Sequence, residues 1–186
     1  IFKPSTRIHQ DYMSVDSLLP TSAALELVLR GNEENTVKQP AVLHAMDQLA
    51  TYITANSKLP VKVYSLADVV KELNKAFHNN DPAFYTIPDN ADLIAQELIL
   101  FESSDQEEVK QLVDMKYKQA RFTIRVPNVA DSQYRDLLTL IDQGIQRYFD
   151  GNTMVSTMAR VDSPADTSLR DVSVMETGLV QLWVTI

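Results

Sequence analysis

Two stretches of this chain alternate apolar and polar residues so regularly that they fix the frame of the fold. In Ala24 to Arg30, Leu25, Leu27 and Leu29 share one side, and Glu26, Val28 and Arg30 share the other. In Ala120 to Val126, Phe122, Ile124 and Val126 oppose Arg121, Thr123 and Arg125. A period of two residues is that of a half-buried strand. Parallel sheets are covered on both faces and read as unbroken apolar runs. Strands with one polar face therefore predict an antiparallel sheet with helices on one side only.

The helices are legible as periodic stripes. Pro40 suits a first helical turn, and Val42, Ala45, Met46, Leu49 and Ile53 mark one face of a helix ending near Ala55. Gly31 to Gln39 is polar and loop-like. Pro60 precedes Val61, Val63 and Tyr64, a short strand candidate. Ser65 with Asp68 three residues on forms a capping-box variant, and Leu66, Val69, Val70, Leu73 and Phe77 follow at helical spacing. Asn79-Asn80-Asp81-Pro82 stops that helix, since proline disfavours helical geometry in the residue before it. After Pro88-Asp89-Asn90 the pattern restarts with Leu93, Ile94, Glu97, Leu98 and Phe101. Ser103 to Glu108 reads as a loop or turn, and Val109, Leu112 and Val113 as a short helix. Pro127 ends the second clear strand. Asp131 or Ser132 caps a long helix striped by Tyr134, Leu137, Leu138, Ile141, Ile145 and Tyr148, closed by Asp150-Gly151-Asn152.

With a fourth strand expected around Thr153 to Arg160, the order becomes the split β-α-β plan of a ferredoxin-like α+β sandwich. The expected division is an irregular lead-in over 1–19, an α+β domain over 20–160 with a helical insertion at 66–118, and a tail over 161–186. In the tail, Val161 to Asp171 reads as a loop, and Leu179 to Ile186 alternates like an added edge strand.

Composition narrows the function. A net charge of −8 argues against nucleic acid, whose phosphates need a clustered basic face, and against charge-driven binding to anionic lipid. The absence of cysteine excludes disulfides, thiolate catalysis and Cys-type zinc sites. Four glycines leave no material for a phosphate-cradling loop. No run of eighteen apolar residues spans a bilayer. The chain begins at Ile1 and ends on Ile186 inside an apolar run, and is expected to be a piece of a longer protein.

The ordered set Ser65, Leu66, Asp68, Val69, Asp81, Pro82, Tyr85, Ile87, Pro88, Ala95, Gln96 and Leu98 resembles the extracytoplasmic loop of resistance-nodulation-division exporters, in the MMPL and Patched-like branch. Asp114, Tyr117, Ala120, Arg121, Val126 and Pro127 resemble that family's next strand, so the likeness runs from about Pro20 to Thr153. The resemblance implies a porter-like domain of a proton-driven exporter of lipids, hydrophobic compounds or other amphiphiles. Energy coupling would reside in acidic residues of membrane helices outside this stretch, so no enzyme activity and no cofactor are expected. The implied partners are those membrane helices, a second extracytoplasmic domain and an amphiphilic substrate, with homo-oligomers formed through the parent. The implied location is the periplasmic face of the inner membrane. A second reading is a stand-alone soluble module that takes an apolar ligand into a closed cavity between helices and sheet.

Candidate sites are few. His9, His44 and His78 lack metal-ligand spacing. Asp105, Glu107, Glu108 and Asp114 cluster as acid-base pairs do, but such polar runs are usually solvated surface. No serine lies in a nucleophile elbow, so a hydrolase is not expected. Phe84, Tyr85 and Ile87 form a candidate lip on a substrate path, against the plainer reading of a satellite core. Arg121 and Arg125 are candidates for docking a second domain, and the plainer reading pairs them with Glu26 on a neighbouring strand. The scattered methionines share no stripe and read as core filling.

Overall fold

The alternation sorts side chains as the pattern demands in the computed structural model, which describes residues 23–104, 106–127, 131–149 and 172–177. Strand β1 (Ala23–Gly31) buries Leu25, Leu27 and Leu29, and β3 (Gln119–Val126) buries Phe122, Ile124 and Val126. The two pair antiparallel, with Leu25 opposite Ile124 and Leu27 opposite Phe122. Strand β2 (Lys62–Tyr64) pairs with the outer side of β3, Val63 opposite Ile124. On the other side of β1 lies β4 (Val172–Thr177), also antiparallel, which completes the sheet order β2-β3-β1-β4.

That order is the ferredoxin-like split β-α-β, reached through helix α1 (Pro40–Asn56) between β1 and β2 and helix α5 (Asp131–Phe149) between β3 and β4. The stripe Val42, Ala45, Met46, Leu49 and Ile53 of α1 is buried, together with Tyr134, Leu137 and Ile141 of α5. These side chains meet the apolar face of the sheet as one continuous core. Gly144 lets α5 approach α1, since a Cβ there would stand 2.6 Å from Leu49 Cδ1. The opposite face of the sheet carries the exposed or half-buried Ala24, Glu26, Val28, Arg30, Arg121, Thr123 and Arg125. Helices thus cover one side of an antiparallel sheet, as the alternation requires.

The insertion between β2 and β3 consists of α2 (Leu66–Phe77), α3 (Ala91–Ser104) and α4 (Gln106–Leu112). Three expectations need correction. The polar run after Glu102 is largely helical, because α3 continues through Ser104 and α4 begins at Gln106. Glutamate and glutamine are good helix formers, so a polar run does not by itself break a helix. The segment after Gly31 is not simply a loop, because Thr36–Lys38 forms a 3-10 turn that buries Thr36 and Val37. Gly31 permits this turn, since a Cβ there would fall 2.3 Å from Thr36 Cβ. The stripe of α2 also ends differently: Phe77 is half exposed, whereas the polar Asn74 is buried.

The lead-in over 1–19, the closing turn at Asp150 to Asn152, the strand expected at Thr153 to Arg160, and the tail elements at Val161 to Asp171 and Leu179 to Ile186 lie outside the described residues. The strand observed in the fourth position is Val172–Thr177.

Candidate functional site

The insertion builds a groove, and its assembly starts at the cap of α2. The Asp68 carboxylate accepts the Ser65 backbone N–H at 3.0 Å and the Ser65 hydroxyl at 3.2 Å, which fixes the start of α2 directly after β2. At its far end the chain turns through Asn79 and Asn80, at φ 56° and 59°, a left-handed conformation that asparagine tolerates. Asp81 then accepts the Ala83 N–H at 2.9 Å and opens a 3-10 turn, Pro82–Phe84.

Asn74 explains why the stripe of α2 departs from its apolar pattern. Its side-chain amide donates to the carbonyl oxygens of Phe84 at 3.0 Å and Thr86 at 2.9 Å. Phe84 stacks on the His78 ring at a centroid distance of 3.7 Å, and His78 Nδ1 lies 2.7 Å from the Asn74 carbonyl oxygen. The loop is thereby pinned to the helix. Ile87 turns into the core, while Phe84 and Tyr85 stay about two-fifths exposed. The three residues of the expected lip thus separate into a core anchor, a stacked ring and an accessible ring.

Tyr85 borders a surface groove of about 550 Å³ lined by Val63, Tyr64, Val69, Leu73, Ala76 and Phe101, with the acids Asp68 and Glu72. Those acids are neutralised locally. Lys71 bridges Asp68 at 3.0 Å and also Asp47, and Lys75 pairs with Glu72. Both ammonium groups lie over the Tyr85 ring, at 5.0 and 5.3 Å from its centroid. Burial pulls the Lys71 pKa down, but the hydrogen bonds and charges of Asp47 and Asp68 outweigh it and hold it above the usual lysine value. The groove therefore offers an apolar, aromatic wall with a compensated ionic rim.

Glu97 is the other unusual group. It is 1% exposed on α3, and neither carboxylate oxygen has a hydrogen-bond partner among the described residues. Ile94 and Leu98, also buried, flank it on the same helix. Burial raises its pKa above the ordinary glutamate value, and the charge of His78 partly opposes that rise. The Asn74 amide, engaged with the loop carbonyls, does not reach it.

The remaining candidates do not line the groove. Asp114 accepts the backbone N–H groups of Lys118 and Gln119, both at 2.7 Å, and so shapes the turn into β3. Of the acid cluster, the side chains of Asp105, Glu107 and Glu108 lie outside the described residues. His44 Nε2 lies 3.3 Å from Asp89 Oδ1, and His9 is outside the described residues. Tyr117 donates to Glu102, and burial with this bond raises its pKa. Arg121 and Arg125 are exposed on the open sheet face, with Arg121 Nε 3.6 Å from Glu26 Oε2, an exposed pair worth about 0.2–1 kcal/mol.

The sequence singles out Tyr85 but does not show the groove beside it, because Tyr64, Leu73 and Phe101 line that groove from three separate elements. The polar Glu97 inside an apolar stripe was the one visible signal for a buried carboxylate. Compared with models of known families, with curated proteins and with solved structures, the chain matches none.

Proposed function

We propose that this chain is an extracytoplasmic, porter-like domain of a proton-driven membrane exporter, on the periplasmic face of the inner membrane. It catalyses no reaction. Its groove receives the apolar part of a lipid or other amphiphile, and its open sheet face docks a second extracytoplasmic domain of the parent. Energy coupling belongs to the membrane helices, and the domain moves as a packed unit while they cycle.

The observation that carries the reading is the position of the insertion. A ferredoxin-like frame is interrupted between β2 and β3 by helices that present the aromatic groove. The motif residues of the family resemblance occupy this same segment. Ser65 and Asp68 form its cap, Asp81 and Pro82 its turn, and Leu98 its buried anchor. A stand-alone module with a closed cavity is less favoured, since Leu27, Leu29, Met46, Leu49, Phe122 and Ile141 are fully buried between helices and sheet.

No helix among the described residues is long and apolar enough to cross a membrane, so the reading places the spans elsewhere in the parent. The parent gene tests it directly. Runs of about 20 apolar residues are expected on either side of this segment. A parent without them is not an exporter.

A further inference from the structure

The open face of the sheet is basic, although the chain as a whole carries a net charge of −8. Strand register shows how. Lys62 lies opposite Arg125, which lies opposite Ala24, and Tyr64 lies opposite Thr123, which lies opposite Glu26. In the next rows Arg121 faces Val28, and Gln119 faces Arg30. Residues paired across strands share a face, so Lys62, Arg125, Arg121 and Arg30 are gathered on one side with Glu26 as the only acid among these positions. The aligned cations Lys62 and Arg125 repel each other, an arrangement that costs stability unless an anion covers them.

We infer that this face binds an acidic protein surface, with Arg121 and Arg125 as its anchors and Lys62 beside them. The inference rests on the reading that this face docks a second domain, and it specifies the chemistry of that partner. Three of the four cations are arginines, whose planar fork matches a carboxylate through two parallel hydrogen bonds. Tyr64, about two-fifths exposed, adds the other residue type that recurs at the energetic centre of protein interfaces. An anionic membrane is the poorer occupant. The described positions of this face carry no Leu, Ile, Phe or Trp to insert into lipid. The acidic remainder of the chain would also be repelled by such a surface.

The test uses the whole 186-residue chain with poly-L-glutamate as the probe, titrated by calorimetry at low and at physiological salt. Phosphatidylglycerol vesicles form a second arm. Binding to poly-L-glutamate is expected, weaker at the higher salt. Arg121→Gln combined with Arg125→Gln should weaken it by roughly tenfold or more, the scale of losing an interface anchor. The control pair, Lys58→Gln with Lys116→Gln, removes two exposed lysines away from this face and should change affinity by less than about twofold. Far-UV circular dichroism confirms that all variants are folded. No binding to poly-L-glutamate, equal losses in the two double variants, or arginine-dependent binding to the vesicles alone would overturn the inference. A parent without membrane spans would end the exporter reading and leave this result unchanged.

Discussion

Replacing Glu97 by leucine should make the protein more stable at neutral pH, by about 1–3 kcal/mol, the usual cost of burying a polar group without a partner. Most substitutions in a packed helix destabilise, so a gain of this size is a distinctive outcome. It follows from a carboxylate that is 1% exposed and has no hydrogen bond to either oxygen among the described residues. The pH dependence has a definite sign. Burial raises the folded-state pKa of Glu97 above its unfolded value, so the folded state binds the proton more tightly. The stabilising contribution of the protonated form is complete below the ordinary glutamate range. It is lost as pH rises through that range up to the raised folded value. Glu97→Gln keeps the shape of the protonated acid and removes the titration, so this component of the pH profile should flatten. Urea unfolding followed by far-UV circular dichroism, at several pH values for wild type and both variants, measures this. A leucine variant less stable than wild type at neutral pH, with no change in the profile for glutamine, would show that Glu97 has a partner.

Asn74→Asp should destabilise the insertion by about 1–3 kcal/mol, the cost of orphaning a buried hydrogen-bonding group. The substitution nearly preserves size but replaces the donor facing Phe84 O and Thr86 O with an acceptor. The carbonyls then face a repelling oxygen, and the loop that carries Tyr85 loses its attachment to α2. Backbone hydrogen exchange gives a local readout. Amides of Phe84, Tyr85 and Thr86, which donate to nearby carbonyls, should exchange faster while β1 and β3 keep their protection. Unchanged protection in the loop would mean that the amide does not hold it.

The sequence announces some of these features far more plainly than others. The strands β1 and β3 were legible because a period of two leaves no other way to bury three leucines or the set Phe122, Ile124 and Val126. The frame of α1 was equally legible, since every residue of its expected stripe is buried. Asn74 was not, because asparagine within a helix carries no local signal for carbonyls that arrive 10 and 12 residues later. The end of α3 was hidden for a related reason. Ser103 to Glu108 has the polarity of a loop, although α3 runs through Ser104 and α4 starts at Gln106. The groove is a tertiary object, assembled from β2, α2, the Tyr85 loop and α3, so no single stretch could reveal it.

The groove is open to direct measurement. N-phenylnaphthylamine, a small apolar dye whose emission rises and shifts to the blue when it leaves water, probes it without knowledge of the natural substrate. Titrated into the chain, the dye should brighten. Ala76→Glu, at an exposed position that lines the groove, should abolish most of that rise by placing a charge against the apolar wall. Arg121→Gln, on the open sheet face, should leave it intact. A dye that stays dark, or one that brightens equally with glutamate at position 76, would contradict an amphiphile-binding groove on this domain.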